Sequence, residues 1–500
     1  MRRDIYLTII LFLCILFMVV PRAFGGKALY DDFSGTYLDI QKWQNREFVR
    51  EVAEGKLVSK IGNASGTGTF RNSTRFQNPD SITTIECDIT IVTTNLDTGS
   101  GPSSYASIAG FFYNTQASGG ATGDIVAVVS IGDGGNGGLE AHWGLYEYLD
   151  DNLTNAEEKG SGTLIDPGGI TSGIAYTAKI EYDGNNGFQF TVAGASESLS
   201  GPSRQRAAVT EFKGLTTVIN ANGGSGIGYV SALFDNVNTN TATPYDDFST
   251  APLDQTKWQD WEFVREISNG KLRLNTEGED AWTDAILAPV NVNQSTAYLE
   301  TKVLVESGSE VSSGAWGRAQ IKGRYYNESR GPGSGQAYNG SEGDVLALIG
   351  IRIDDSSILT ADCVLSISDD AEATTWTTRD YHQFTTTIDF DAEYTLSIEF
   401  NGSSFIFKCN DETYQYDVTT PMYPPSTGQT RNLSSMIFAD TGQSGYMKAH
   451  FDDVYIDAPG SISGQVTGEY GPIEGLWVHA FAGQCGGTWV GGTYTDDEGN

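Results

Sequence analysis

Residues 30–57 read YDDFSGTYLDIQKWQNREFVREVAEGKL, and residues 245–272 read YDDFSTAPLDQTKWQDWEFVREISNGKL. The second stretch begins 215 positions after the first and aligns with it without a gap. Tyr30, Asp31, Asp32, Phe33, Leu38, Lys42, Trp43, Phe48, Val49, Arg50, Glu51 and Gly55 all recur. A solenoid unit runs to about 20–50 residues, whereas a period this long has the size of a whole domain, roughly 100–250 residues. The match continues through SITTIECDITIV (81–92) with STAYLETKVLVE (295–306), GFFYN (110–114) with GRYYN (323–327), GDIVAVVSI (123–131) with GDVLALIGI (343–351), YTAKIEYDG (176–184) with YTLSIEFNG (394–402) and ALFDNV (232–237) with AHFDDV (449–454). The expected organisation is one module in duplicate, residues 27–238 and 245–457, joined by the linker TNTATP (239–244). Two copies of a module suit binding, where a second site raises avidity through effective concentration.

The strand signals are dense. Ile85–Ile91 and Leu299–Val303 alternate apolar and polar residues, the mark of a strand with one buried and one wet face. Ile125–Ile131 and Val345–Ile351 are continuous apolar runs, and DGNNG (183–187) joins two strands as a hairpin turn. No stretch of a dozen residues holds a helical period. The expected fold is all-β: two antiparallel jelly-roll sandwiches in tandem.

With those residues in view, the opening YDDF…LD…KW, the mid-unit strand ending in an aromatic-Asn pair and the closing FDNV/FDDV strand resemble the concanavalin A-like lectin/glucanase superfamily, which includes laminin-G-like modules. The resemblance covers both units and implies the jelly-roll fold. Lectins, laminin-G-like modules and glucan hydrolases share that fold, so it leaves activity open. A third piece, 461–500, carries G-x-V, P-I-x-G-x-x-V-x-A-F and T-D-x-x-G-N. It resembles a carboxypeptidase regulatory-like (prealbumin-type) sandwich, a spacer in that family, and stops one strand early, so this reading expects further chain.

Residues 1–25 read as a signal peptide: Arg2 and Arg3, an apolar stretch from Ile5 to Val20, then Ala23-Phe24-Gly25. The apolar stretch falls short of the ~20 residues that span a bilayer, so export and cleavage are expected, with no membrane insertion of the mature chain and an extracellular or cell-surface location. The chain has 30 Lys+Arg and 64 Asp+Glu, a net charge of −34. That excludes nucleic acid as partner, because phosphates need a basic surface, and it suits a protein that holds divalent cations. Cys87, Cys363 and Cys409 fall in inward strand phases; a disulfide between the last two stays open, since sequence does not give Cα separation. Cys485 has no evident partner.

Glucan hydrolases of the resembled fold carry Glu-x-Asp-x-x-Glu on one strand. Here Glu86-Cys87-Asp88 and Glu181-Tyr182-Asp183 lack the third carboxylate, and the second copy replaces Asp88 with Lys302 and Asp183 with Asn401. Retaining chemistry needs two carboxylates about 5–5.5 Å apart, so these acids read as solvated strand faces and catalysis is left as the alternative. The four histidines, His142, His382, His450 and His479, neither recur between copies nor show zinc spacing. Aromatics carry the binding expectation, since sugars stack their C–H faces on rings while amides and carboxylates hold hydroxyls. The candidate ligand contacts are Tyr113, Asn114, Asp124 and Trp143 in the first copy and Tyr326, Asn327, Asp344 and Trp376 in the second. His142, Tyr146 and Tyr148, with Trp316 and Tyr381, lie nearby in sequence. The acidic ends of each unit suggest structural calcium, with Asp32 and Asp235 in one copy and Asp247 and Asp452 in the other. The expected partner is an extracellular polysaccharide or glycan, with a surface protein as second choice and a purely structural stalk as third.

Overall fold

The computed structural model describes residues 27–457 except 65–66, 95–102, 117–119, 136, 202–205, 208–211, 223–226, 291–296, 329–339 and 421–430, together with two small hairpins between 467 and 494. The signal peptide and Cys485 lie outside the described residues. The third piece is described only as the pairs Thr467–Gly468 with Gly471–Pro472 and Trp477–Ala482 with Thr488–Tyr494. No described helix is long and apolar enough to cross a membrane.

The chain is all-β and antiparallel, and it builds two sandwiches. Each has its own front sheet of six strands in one order, the first with a short seventh, Arg206–Ala207, paired beside Ser103–Asn114. The first runs Thr67–Arg75, Lys213–Asn222, Ser103–Asn114, Asp124–Asp133, Leu139–Tyr148, Ala156–Ile165. The second repeats that order as Trp282–Leu287, Arg431–Phe438, Trp316–Asn327, Asp344–Asp354, Leu359–Ser368, Trp376–Gln383. The back sheets are continuous with one another. Seven strands of the first copy end in Phe48–Ala53, which pairs with Phe263–Ser268, the first of seven in the second. Phe263 stands opposite Arg50, Val264 opposite Val49 and Arg265 opposite Phe48, a register in which the duplicated sequences FVR meet about a pseudo-twofold axis. Alternation drives each sandwich: Ile85, Cys87, Ile89 and Ile91 of the first back sheet face Ala106, Ile108, Ala127 and Val129 of its front sheet in one core. Burial at about 25 cal/mol per Å² of apolar surface holds these layers together.

The sequence repeat and the folded sandwich are not the same set of residues. The first strand, Lys27–Asp31, pairs with Ser444–Asp457 of the second copy. Phe33, Leu38 and Trp43 lie in the core of the second sandwich, while Phe248, Leu253 and Trp258 lie in the core of the first. Each copy has therefore exchanged its N-terminal arm with the other. The linker leaves the arm 245–258 folded back on the sandwich just completed, and the chain then crosses. Mirrored bonds hold both crossings. Arg50 Nε donates to the Trp261 carbonyl and Arg265 Nε to the Arg46 carbonyl, both at 2.7 Å. Glu47 Oε1 accepts the Leu38 and Ile267 amides at 3.2 and 3.1 Å, and Glu262 Oε1 accepts those of Leu253 and Val52 at 3.2 and 2.8 Å.

The crossings differ in charge. Glu47 is paired with Lys60 at 2.8 Å. At the other crossing the position of Lys60 is taken by Asn275 and that of Gly62 by Glu277, whose carboxylate accepts the Glu262 amide at 3.0 Å. Burial pushes the Glu277 carboxyl up to about 7, with Glu262 and Glu279 adding to the rise and Arg50 opposing it.

Candidate functional site

Tyr113 and Tyr326 do not line an open face. A bulge at Phe112, where Phe111 opposes Val126 and Tyr113 opposes Ile125, shifts the alternation and sends both rings of the pair inward. The bulge between Arg324 and Tyr326 repeats it. Tyr113 is fully buried and stacks on Tyr182 at 5.4 Å; Tyr326, also buried, stacks on Phe400 at 5.5 Å. Asn114, Asp124, Asn327 and Asp344 are 0% exposed. Asn114 Nδ2 donates to Asp124 Oδ1 at 2.5 Å and to the Gly120 and Thr122 carbonyls, and Asn327 Nδ2 donates to Asp344 Oδ1 at 2.8 Å and to the Glu342 carbonyl. The pair clamps the loop between two front-sheet strands in each copy, which accounts for its recurrence without a ligand. Trp143 is half-buried, stacked on Phe190 at 4.9 Å. Trp376 is half-buried, its indole bonded to the Ala373 carbonyl and its ring under Arg324.

The acidic pairs have other work. Asp31 and Asp246 each accept the arm tryptophan's Nε1 at 2.6 Å and the amide two residues on. They make YDDF…KW a self-bracing arm. Asp32 and Asp247 are exposed and bond Ser34 and Ser249, whose hydrogen bonds hold both carboxyls below the usual range. Asp235 is paired with Lys56 at 2.7 Å, and Asp452 accepts the Asp453 amide. Arm exchange places Asp32 on the second sandwich and Asp235 on the first, so that expected couple is split. Among the described residues no three His, Cys, Asp or Glu side chains group as a metal site.

The carboxylate strings sit on the back sheet. Asp88 accepts Thr177 Oγ1 and Asn236 Nδ2, and Asp183 Oδ1 accepts three turn amides, those of Asn185, Asn186 and Gly187. A cavity of about 450 Å³ runs past Glu181 and Asp183, but the latter's bonds are those of a hairpin turn.

The outward surface of the front sheets is where the copies part. Registers align the two faces residue by residue. Most inward positions are kept: Ala106/Ala319, Ile108/Ile321, Ala127/Ala347, Ala141/Ala361, Leu145/Leu365, Leu215/Leu433 and Ile219/Ile437 are identical, Ile125/Val345 and Val129/Ile349 are conservative, and Trp143/Cys363 is the large exception. Outward positions are not: Tyr105/Arg318, Ser107/Gln320, Ser130/Gly350, Gly132/Arg352, Glu140/Thr360 and His142/Asp362 all differ in charge or size. The two outward faces are therefore not alike, and the avidity expected of two equivalent sites does not follow from the duplication.

The first face carries Tyr105 edge-on to His142 at 6.2 Å, with His142 Nε2 2.8 Å from the buried Glu140 carboxylate. Burial, then Glu140 and Asp133, push the Tyr105 phenol up to about 12. On the second face Trp316 stacks on Phe438 at 5.5 Å, and Trp282 stands edge-on to both at 6.4 and 6.0 Å. Trp282 is 58% exposed and Tyr381 49%. Arg318 and Arg352 each place a guanidinium 5.0 Å from the Trp316 centroid. Arg318 then lies flat across Gly350, where an added Cβ would come within 2.7 Å of its Cγ, to reach Asp362 at 2.8 Å. Gln320 Nε2 donates to Ser434 Oγ at 3.1 Å. Sequence reasoning named Trp316 and Tyr381 but missed Trp282, Arg318, Arg352 and Asp362. The available signal was loss of identity between copies at outward phases.

No family model matches the chain, and no curated protein matches it. Solved structures similar to it include LamAcat from Zobellia galactanivorans (14% identity, 39% of this chain and 80% of that chain, TM-score 0.27). Mouse laminin alpha1 chain domains LG4-5 are 11% identical over 87% of this chain and 93% of that chain, TM-score 0.22. The kappa-carrageenase from Pseudoalteromonas carrageenovora is 10% identical over 38% and 82%, TM-score 0.24. At such identities and scores the all-β sandwich assignment stands on this chain's own strands.

Proposed function

We propose that this chain is an exported, non-catalytic glycan-binding protein whose ligand lies on the outward face of the second front sheet. The observation that carries the reading is the aromatic shelf of Trp282, Trp316 and Phe438 beside a polar row of Arg318, Gln320 and Asp362. A sugar ring presents an apolar C–H face and a rim of hydroxyls, and this surface offers rings for the first and fixed donors and acceptors for the second. Arg318 Nε, Gln320 Oε1 and Asp362 Oδ1 are buried without a hydrogen-bond partner among the described residues, so the polar row is not fully satisfied within the protein. Polysaccharide affinity electrophoresis tests it. Wild type is expected to be retarded by at least one extracellular polysaccharide, with W282A losing about tenfold in affinity, since one base-sized ring stack is worth on the order of 1–3 kcal/mol. Unchanged retention in W282A, or reducing-sugar release by the wild type, refutes it.

A further inference from the structure

We infer that the ligand of this second face is an acidic saccharide, a uronate, with Arg352 as the residue that takes its carboxylate; the inference rests on the glycan-binding reading above. In a chain of net charge −34, this one face gathers Arg318, Lys322, Arg324 and Arg352 on two adjacent strands. Three of the four are answered: Arg318 by Asp362 at 2.8 Å, Lys322 by Asp284 at 2.7 Å and Arg324 by Asp344 at 3.3 Å. Arg352 has no carboxylate within ion-pair distance among the described residues, although Asp354 and Asp362 lie near enough to attract it through space. It stands directly opposite Arg318 in the strand register, and both guanidiniums rest on the one Trp316 ring. Like charges directly opposite across an antiparallel pair repel; Asp354 and Asp362 offset that repulsion, and a ligand carboxylate would add the close, paired anion that Arg352 lacks. The first copy has Tyr105 and Gly132 at these two places; the cation pair belongs to the second face alone. Arg352 is half-buried against the ring, which limits its rotamers and presents its fork rather than a swinging charge. A planar fork matches a planar carboxylate bidentately. A uronate supplies that carboxylate rigidly attached to the ring that would stack on the shelf.

The test uses the full chain in affinity electrophoresis against polygalacturonate, a sulfated galactan and a neutral β-glucan. Polygalacturonate is expected to retain the wild type most strongly, and oligogalacturonates to compete for it. R352Q is expected to lose about tenfold in affinity for polygalacturonate with its melting unchanged, and R352K to fall between, keeping charge without the fork. Neutral glucan bound as tightly as polyuronate, with W282A abolishing binding, overturns the acidic ligand and leaves the glycan-binding reading standing. Preference for the sulfated galactan overturns the uronate. Failure of every polymer to retain the protein overturns both.

Discussion

Replacing Trp43 with alanine is expected to loosen the second sandwich, although Trp43 belongs to the first sequence repeat. Its side chain is 1% exposed, stacks on Phe33 at 5.7 Å, and donates to Asp31 at 2.6 Å within the second core. Truncating a buried tryptophan costs about 3–5 kcal/mol, and leaving the buried Asp31 carboxylate short of a donor adds about 1–3 kcal/mol. Even 3 kcal/mol raises an opening equilibrium by more than about 100-fold. The chain carries its own reporters: Cys87 is buried in the first core, Cys363 and Cys409 in the second, and all three are free thiols. Alkylation of the native protein, read peptide by peptide in a mass spectrometer, follows each core separately. W43A should accelerate Cys363 and Cys409 about 100-fold relative to Cys87. W258A should do the reverse. If W43A instead exposes Cys87 first, each arm lies on its own repeat and the exchange described above is wrong.

Two further outcomes are expected. The Glu277 carboxyl, raised to about 7, binds a proton in the folded chain that the unfolded chain has already released between about pH 4.5 and 7. Stability therefore falls as pH rises through that window, by on the order of 3 kcal/mol for this group; melting curves from pH 5 to 8 should flatten in E277Q relative to wild type, and parallel curves would show that Glu277 does not titrate there. Calcium is expected to leave the melting temperature where EDTA leaves it, because Asp32, Asp235, Asp247 and Asp452 are each bonded within the protein; a rise in millimolar calcium would reinstate the metal reading.

Much of the fold was legible because alternation and duplication are local signals. The strands around Ile85–Ile91 and Leu299–Val303, the apolar runs at Ile125 and Val345 and the hairpin at Asp183 all formed as their patterns required. Arm exchange was not legible. The two arms carry the same Tyr, Asp, Phe, Leu and Trp, so each satisfies either sandwich, and only the course of the crossings at 44–47 and 259–262 decides which. The bulges at Phe112 and Tyr325 were hidden for a different reason. A run of adjacent aromatics has no alternation to break, so the phase beyond it cannot be counted, and Tyr113 and Tyr326 were placed on the wrong side of the sheet. Asn114 with Asp124 recurs because a loop must be held, a constraint as strong as any ligand would impose.

The divergence of the front sheets bears on what duplication contributes. Two equal sites would gain avidity on a polymer, and that requires the outward residues to be kept. The chain kept most inward ones: the alanines Ala106/Ala319, Ala127/Ala347 and Ala141/Ala361 and the isoleucines Ile108/Ile321 and Ile219/Ile437 persist, while Tyr105 gave way to Arg318, Gly132 to Arg352 and His142 to Asp362, or the reverse. Packing constrains an inward position from every side, whereas an outward one answers only to what it binds. The two faces are thus separate surfaces on one scaffold, and the binding chemistry argued for the second does not extend to the first. The first repeat still matters to it. Phe33, Leu38 and Trp43 complete the core behind the Trp282–Trp316 shelf, so the second sandwich is closed by residues that enter the chain more than 200 positions earlier. Dividing the chain at the linker therefore removes from the second sandwich the arm it folds around, and binding by the two halves cannot be compared as if each were a whole module.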